Sequence, residues 1–157
     1  MVAPEERLAE LGLPLPAVPK PLASYATYTR AGSLIFTAGH IPFQEDMKSL
    51  HVGKVGVAYS VEEAAAFARR VAVLLVSTLR DAVGGDLDRA KRIVKVVGFV
   101  NCPDEFTEQP EVINGCSDLL GEIFGKERGT HARSAVGTNS LPRNVPVEIE
   151  LIAEVED

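Results

Sequence analysis

Residues 60–85, SVEEAAAFARRVAVLLVSTLRDAVGG, limit the possible folds more than any other part of the chain. Ser60, followed three residues later by Glu63, makes a capping box in which each side chain satisfies the other's backbone N–H. Gly84 and Gly85 provide the stop. Ala64, Ala68, Val71, Leu75, Leu79 and Ala82 return to one face, while Glu62, Arg69, Arg70, Arg80 and Asp81 mark the wet side. Such a helix owes most of its stability to whatever covers its apolar stripe. The rest of the chain has to supply that cover.

A second helix is predicted over 109–125, QPEVINGCSDLLGEIFG, with Pro110 near its start and Gly125 beyond its end. Val112, Ile113, Cys116, Leu119, Leu120 and Ile123 form its buried stripe, and Asn114 lies off it. The strands read less uniformly. SYATYTRAGSLIFTAGHIPF (24–43) is a hairpin turning at RAGS, and HVGKVG (51–56) is a strand or a loop crossing near it. RIVKVVGFVN (92–101) is nearly all apolar, as in a strand covered on both faces. THARSAVGTN (130–139) and VPVEIELIAEVE (145–156) read as a last antiparallel pair joined by SLPRN. In the second of these, Val147, Ile149, Leu151, Ala153 and Val155 share one face; Glu148, Glu150, Glu154 and Glu156 share the other with Ile152.

Strands and helices mix without strict alternation, which predicts an α+β protein with two amphipathic helices on one face of a mixed sheet. The other sheet face is not fully polar and no third long helix is left to cover it, so self-association is expected. Ahead of this domain (23–157), residues 4–12 predict a short helix. Residues 13–21, LPLPAVPKP, predict an extended arm with prolines at 14, 16, 19 and 21, so that 1–22 form an N-terminal extension.

At 157 residues, 46% apolar and 24% charged, the chain suits one globular domain. No run approaches the roughly 18 apolar residues of a membrane span. Acids near the start oppose a secretory signal, so a cytoplasmic location is expected. A net charge of −6 argues against a nucleic-acid surface, the densest basic cluster being RAKRIVK at 89–95. Cys102 and Cys116 lack metal-type spacing and read as reduced thiols; His40, His51 and His131 are too dispersed for a zinc site. No cofactor is implied.

Arg133 is the chemical anomaly. It sits in a strand-like run with no carboxylate within five residues. If SLPRN is the turn, Glu148 lies on the neighbouring antiparallel strand. Two readings follow from that spacing. One is an exposed cross-strand ion pair, worth a few tenths to about 1 kcal/mol. The other is an anion clamp beside a carboxylate that holds water, a task suited to the planar, permanently charged guanidinium.

HARSAVGTNSLPRNVPVEIE (131–150) resembles the C-terminal signature of the RidA (YjgF) family. LIFTAGHIP (34–42) with Gly39, VINGCSDLLGEIFG (112–125) with Asn114, and SYATY with Tyr25 resemble three further family motifs in the same order, over residues 23–156. The resemblance implies a fold like the trimeric chorismate mutases: a six-stranded sheet backed by two helices, three subunits joining their sheets into a central barrel with ligand sites at the clefts. It implies hydrolysis of imines and enamines such as 2-aminoacrylate to 2-keto acids and ammonia, without cofactor or metal. Arg133 would bind the substrate carboxylate and Glu148 would position water. Backbone around Gly39 and Ala135 would hold the imine nitrogen and the water, and Tyr25 and Asn114 would line the cleft. Ala135 stands where the best-known deaminases carry cysteine, which leaves no thiol chemistry there. His131, two residues before Arg133, would face the same side and tune the anion site or act as an acid near neutral pH, or serve as a surface or structural histidine. A carboxylate-binding trimer without turnover and a ribonuclease or translation inhibitor are the competing functions.

Overall fold

The computed structural model describes residues 2–18, 20–21 and 23–157. Its elements are α1 (Pro4–Glu10), β1 (Tyr28–Ala31), β2 (Leu34–Thr37), α2 (Val61–Ala82), β3 (Ala90–Asn101), α3 (Gln109–Gly129), β4 (Ala132–Thr138) and β5 (Val147–Val155). Pro19 of the predicted arm lies outside the described residues, as do Met1 and Leu22.

The capping box that starts α2 is made: the Glu63 N–H donates to Ser60 Oγ and the Ser60 N–H to Glu63 Oε1, both at 3.1 Å. Beyond it, every residue from Val71 to Leu79 is buried, not only the predicted stripe. The sheet and α3 cover part of this girth, and the N-terminal segment adds cover at Ser77. Ser77 donates to the Pro16 carbonyl, Leu8 of α1 is 5% exposed in the core, and Arg7 Nε donates to the Glu122 carbonyl of α3 at 3.0 Å. The helix α3 continues past its predicted stop. Gly125, at φ 80° and ψ 171°, breaks the helical path and one more turn follows to Gly129.

One mixed sheet has the order β1-β2-β5-β3-β4. Among the described residues it has five strands, not six. Residues 51–56 form only an isolated bridge, Val55 with Tyr59, because Gly53 (φ 131°) and Gly56 (φ 89°) turn the backbone out of the extended region. The predicted β4–β5 hairpin is also absent. The helix α3 connects β3 to β4, a crossover that makes them parallel neighbours, and β5 enters on the far side of β3, antiparallel to both β3 and β2. SLPRN is therefore a passage across the end of β3, turned by Arg143 and Asn144 at φ 61° and 58°. Asn101, fully buried at that end, pins the passage: its Nδ2 donates to the Val145 carbonyl and to Asn144 Oδ1, each at 3.1 Å. Lys54 Nζ in turn donates to Asn101 Oδ1 at 2.7 Å.

Val147, Ile149, Leu151, Ala153 and Val155 bury against the helices, as their alternation predicts. The opposite face is half apolar. Val97, Phe99 and Ile152 are half-buried there, while Phe36 and Val136 are 38% and 44% exposed. Among the described residues no helix is long and apolar enough to cross a membrane.

The helices α2 and α3 meet at Gly115, where a Cβ would run into the Ala65 carbonyl, 2.7 Å from its carbon. Gly121, one and a half turns on, has open space around its missing Cβ. Gly115→Ala should therefore lower stability in urea denaturation by about 3 kcal/mol, at the upper end of overpacking costs. Gly121→Ala should cost nothing, since alanine is the better helix former by about 1 kcal/mol.

Candidate active site

Arg133 lies on β4, an edge strand, opposite Val96 of β3. Paired residues share a sheet face, so its side chain points with Val96 toward the helices. There Arg133 Nη1 donates to Asn114 Oδ1 at 2.8 Å and to Ser117 Oγ at 3.2 Å. Asn114 and Ser117 stand three apart on α3 and so present neighbouring groups to the same strand. Arg133 forms no ion pair among the described residues, and its Nε and Nη2 have no protein acceptor there. Half of the guanidinium fork remains free.

His131 shares this face, as its spacing predicts. Its Nδ1 lies 2.7 Å from the Gly129 carbonyl and its Nε2 lies 2.9 Å from Ser117 Oγ. Burial holds the imidazole below its ordinary pKa; the Gly129 carbonyl opposes the shift, and the Arg133 charge adds to it. Ser117, Gly121, Gly129, Thr130, His131 and Arg133 line a cavity of about 270 Å³. Beneath it, the fully buried Cys116 thiol is pushed up to about 12 by burial despite the nearby Arg133, and so stays protonated. Ala135, opposite Gly98, packs half-buried against the core on the same side.

Glu148 belongs to a different place. It sits on β5 opposite Phe99, on the face away from the helices. Its carboxyl group lies against Gly39, where a Cβ would come within 2.8 Å of the carboxyl carbon. Two backbone bonds hold this approach: His40 N–H to the Ile149 carbonyl at 2.8 Å and Ile149 N–H to the His40 carbonyl at 3.0 Å. The His40 ring turns inward, Nε2 to Thr78 Oγ1 and Nδ1 to the Ala38 carbonyl, each at 2.7 Å, and burial lowers its pKa. Burial raises the pKa of Glu148, and the negative charge of Glu150 raises it further.

The cross-strand pair of Arg133 and Glu148 is therefore not formed. Strand β3 separates them and they point to opposite faces. Arg133, Asn114, His131 and Ala135 gather at the β4 edge, and Glu148 gathers with Gly39. Tyr25 joins neither group; it is 58% exposed just ahead of β1, the other edge strand. Ser117 and Glu150 were not anticipated as site residues. Ser117 was legible as the residue three after Asn114, and Glu150 as the next same-face neighbour of Glu148.

This layout, two long helices against one face of a mixed sheet, is the chorismate-mutase-like α+β fold. Residues 5–155 match the family described as YjgF/chorismate mutase-like, putative endoribonuclease, and the chain belongs to that YjgF/RutC family. The match begins ahead of residue 23, where the sequence motifs start. Protein TCP17 of Trypanosoma cruzi is 41% identical over 150 residues, covering 96% of this chain and 92% of that protein. A crystal structure from Agrobacterium tumefaciens, of a protein with unknown function, superimposes with a TM-score of 0.89 at 40% identity over 98% of this chain and 92% of that one. The 2-iminobutanoate/2-iminopropanoate deaminase of Dermatophagoides farinae is 27% identical over 141 residues, covering 90% of this chain and 93% of that protein.

Because Glu150 contributes to the shift at Glu148, Glu150→Gln should bring the Glu148 midpoint down toward the ordinary 4.5 without reaching it, as burial persists. Carboxyl NMR titration measures this. Above pH 4.5 the native state holds its Glu148 proton more tightly than the unfolded chain does, so stability falls as pH rises through that window. Glu148→Gln should remove that part of the slope.

Proposed function

We propose that the protein hydrolyses 2-imino acids and their enamine tautomers to 2-keto acids and ammonia, at sites assembled between copies of the chain in a homotrimer. The observation that carries this reading is the half-free guanidinium of Arg133. Asn114 and Ser117 hold one nitrogen, and Nε and Nη2 remain to take a carboxylate through two parallel bonds. The likeness to a protein named as a 2-iminobutanoate/2-iminopropanoate deaminase supports the choice of substrate.

The separation of Arg133 from Glu148 supports assembly. A small imino acid spans only a few ångströms, so the Arg133 edge of one copy and the Glu148–Gly39 face of another would form each complete cleft. The half-apolar outer sheet face, with Phe36 and Val136 exposed, supplies the surface to be covered. Tyr25, exposed ahead of the opposite edge strand, would reach the cleft from the second copy.

The chemistry needs orientation more than force. Arg133 holds the carboxylate of the iminium form. A water oxygen bonds to the imine carbon, Glu148 takes the water's proton, and the C=N π pair moves to nitrogen. Glu148 then returns the proton to the nitrogen, the C–N bond breaks with its pair, and ammonia leaves. The remaining hydroxyl gives its proton to the departing ammonia and becomes the keto group, so that ammonium is released. A carboxyl whose pKa is raised by burial suits both proton transfers. Backbone at Gly39 and Ala135 would fix the imine nitrogen and the water, and Ala135 contributes no side-chain chemistry. We place the protein in the cytoplasm.

The test is release of keto acid from 2-aminoacrylate and 2-iminobutanoate generated in situ by an amino-acid dehydratase. The wild-type chain should accelerate it. Arg133→Ala should lose about 100-fold in kcat/KM, as expected for loss of a charged carboxylate contact. Glu148→Gln should lose about 100-fold or more, mainly in kcat. No acceleration by the wild type would overturn the proposal. Arg133-dependent stabilisation by 2-keto acids without turnover would replace it with simple carboxylate binding, and Arg133-dependent cleavage of RNA with a ribonuclease.

A further inference from the structure

The groups around the Arg133 cavity form a directed chain of hydrogen bonds. The Gly129 carbonyl can only accept, so Nδ1 of His131 carries a proton. In neutral His131, Nε2 is then a lone pair, and at 2.9 Å it accepts the Ser117 hydroxyl proton. Ser117 Oγ keeps lone pairs to accept from Arg133 Nη1 at 3.2 Å. The order Arg133 to Ser117 to His131 to Gly129 is fixed by donor and acceptor capacity alone. One hydroxyl separates the imidazole from the guanidinium, and all three side chains line the same cavity of about 270 Å³.

We propose that Ser117 and His131 couple anion binding at Arg133 to proton uptake, so that a carboxylate seated on Arg133 is bound together with a proton on His131. The inference rests on the reading that Arg133 receives a carboxylate. Without an anion, a proton on Nε2 would set a second positive charge beside Arg133 and reverse the Ser117–His131 bond. A carboxylate on the fork cancels much of that repulsion. Protonated Nε2 then donates to Ser117 Oγ, and the displaced Ser117 O–H turns into the cavity as an additional donor to the ligand. Ligand and proton each favour the other, and the coupling is reciprocal.

The surroundings leave Arg133 as the dominant charge on the ring. From β4, Arg133 acts on His131 directly. On β3, Lys95 stands opposite Ala132 and so lies on the other sheet face. On α3, Glu122 is engaged with Arg69, Arg128 reaches Asp88, and Asp118, Lys126 and Glu127 are exposed. Burial and Arg133 hold free His131 below the ordinary histidine value of 6.5, and the Gly129 carbonyl only partly offsets them. The ring is thus neutral near pH 7 and available to take up a proton.

The probe is 2-oxobutanoate, whose own carboxylate stays ionised from pH 5 to 8, with the full chain followed by ring-proton NMR and calorimetry. Free His131 should titrate below 6.5, and saturating 2-oxobutanoate should raise its midpoint. Binding should tighten about three- to tenfold from pH 8 to pH 5. His131→Gln should make that dependence shallower, leaving only what Glu148 contributes, and Ser117→Ala should weaken it. Arg133→Gln should abolish binding and raise the His131 midpoint in the free protein. Binding that depends on Arg133 but not on pH, with an unmoved His131 midpoint, would overturn the coupling and leave the carboxylate reading intact. Binding unaffected by Arg133→Gln would overturn the carboxylate reading. A His131 midpoint that ignores Arg133→Gln would overturn the coupling even if no ligand bound.

Discussion

The burial of α2 from Val71 to Leu79 on every side is the constraint on which the rest of the molecule depends. Nine consecutive covered residues need more than a sheet. They draw α3 in through the missing side chain of Gly115 and draw the N-terminal segment across through Ser77 and Pro16. They also place Thr78 where only a hydrogen-bonded partner is tolerated, and His40 supplies it. Fixing His40 fixes Gly39 against β5, and with it the environment of the Glu148 carboxyl. A packing requirement in one helix thus reaches a proposed catalytic group on the far side of the sheet.

The two charged groups of the proposed site are set apart by topology. The passage β3–α3–β4 places Arg133 beneath α3, where Asn114 and Ser117 hold it half-buried and cationic. The return of β5 to the middle of the sheet turns Glu148 outward, where burial and Glu150 favour its protonated form. One group is a permanent cation and the other is biased by its surroundings toward the neutral form. That contrast suits the proposed roles, an acid–base carboxyl working opposite an anion clamp.

Arg133 could be singled out from the sequence because it breaks a local rule, a charge in a small-residue strand; Glu148 stood out through its expected place on the neighbouring strand and the family resemblance, and Gly39 and Asn114 through that resemblance alone. Ser117 breaks none, since serine on the half-exposed face of a helix is ordinary. The β4–β5 hairpin misled for a related reason. Two strands joined by so short a segment normally pair, and only the long-range demands of Asn101 and of β3 carry the chain past that solution. The same holds for 51–56, whose valines suggest a strand while Gly53 and Gly56 adopt backbone angles a strand excludes.

The sequence by itself determined the elements and their buried faces: the capped α2, the stripe of α3, the alternation of β5 and the α+β class. Capping, periodicity and side-chain volume act within a few residues, so they are readable in one dimension. Strand order, the kink at Gly125, the cover over α2 and the partners of Arg133 were decided only in the tertiary structure. Those depend on which surfaces meet across a hundred residues of chain, where many local solutions compete and packing of the whole core selects one.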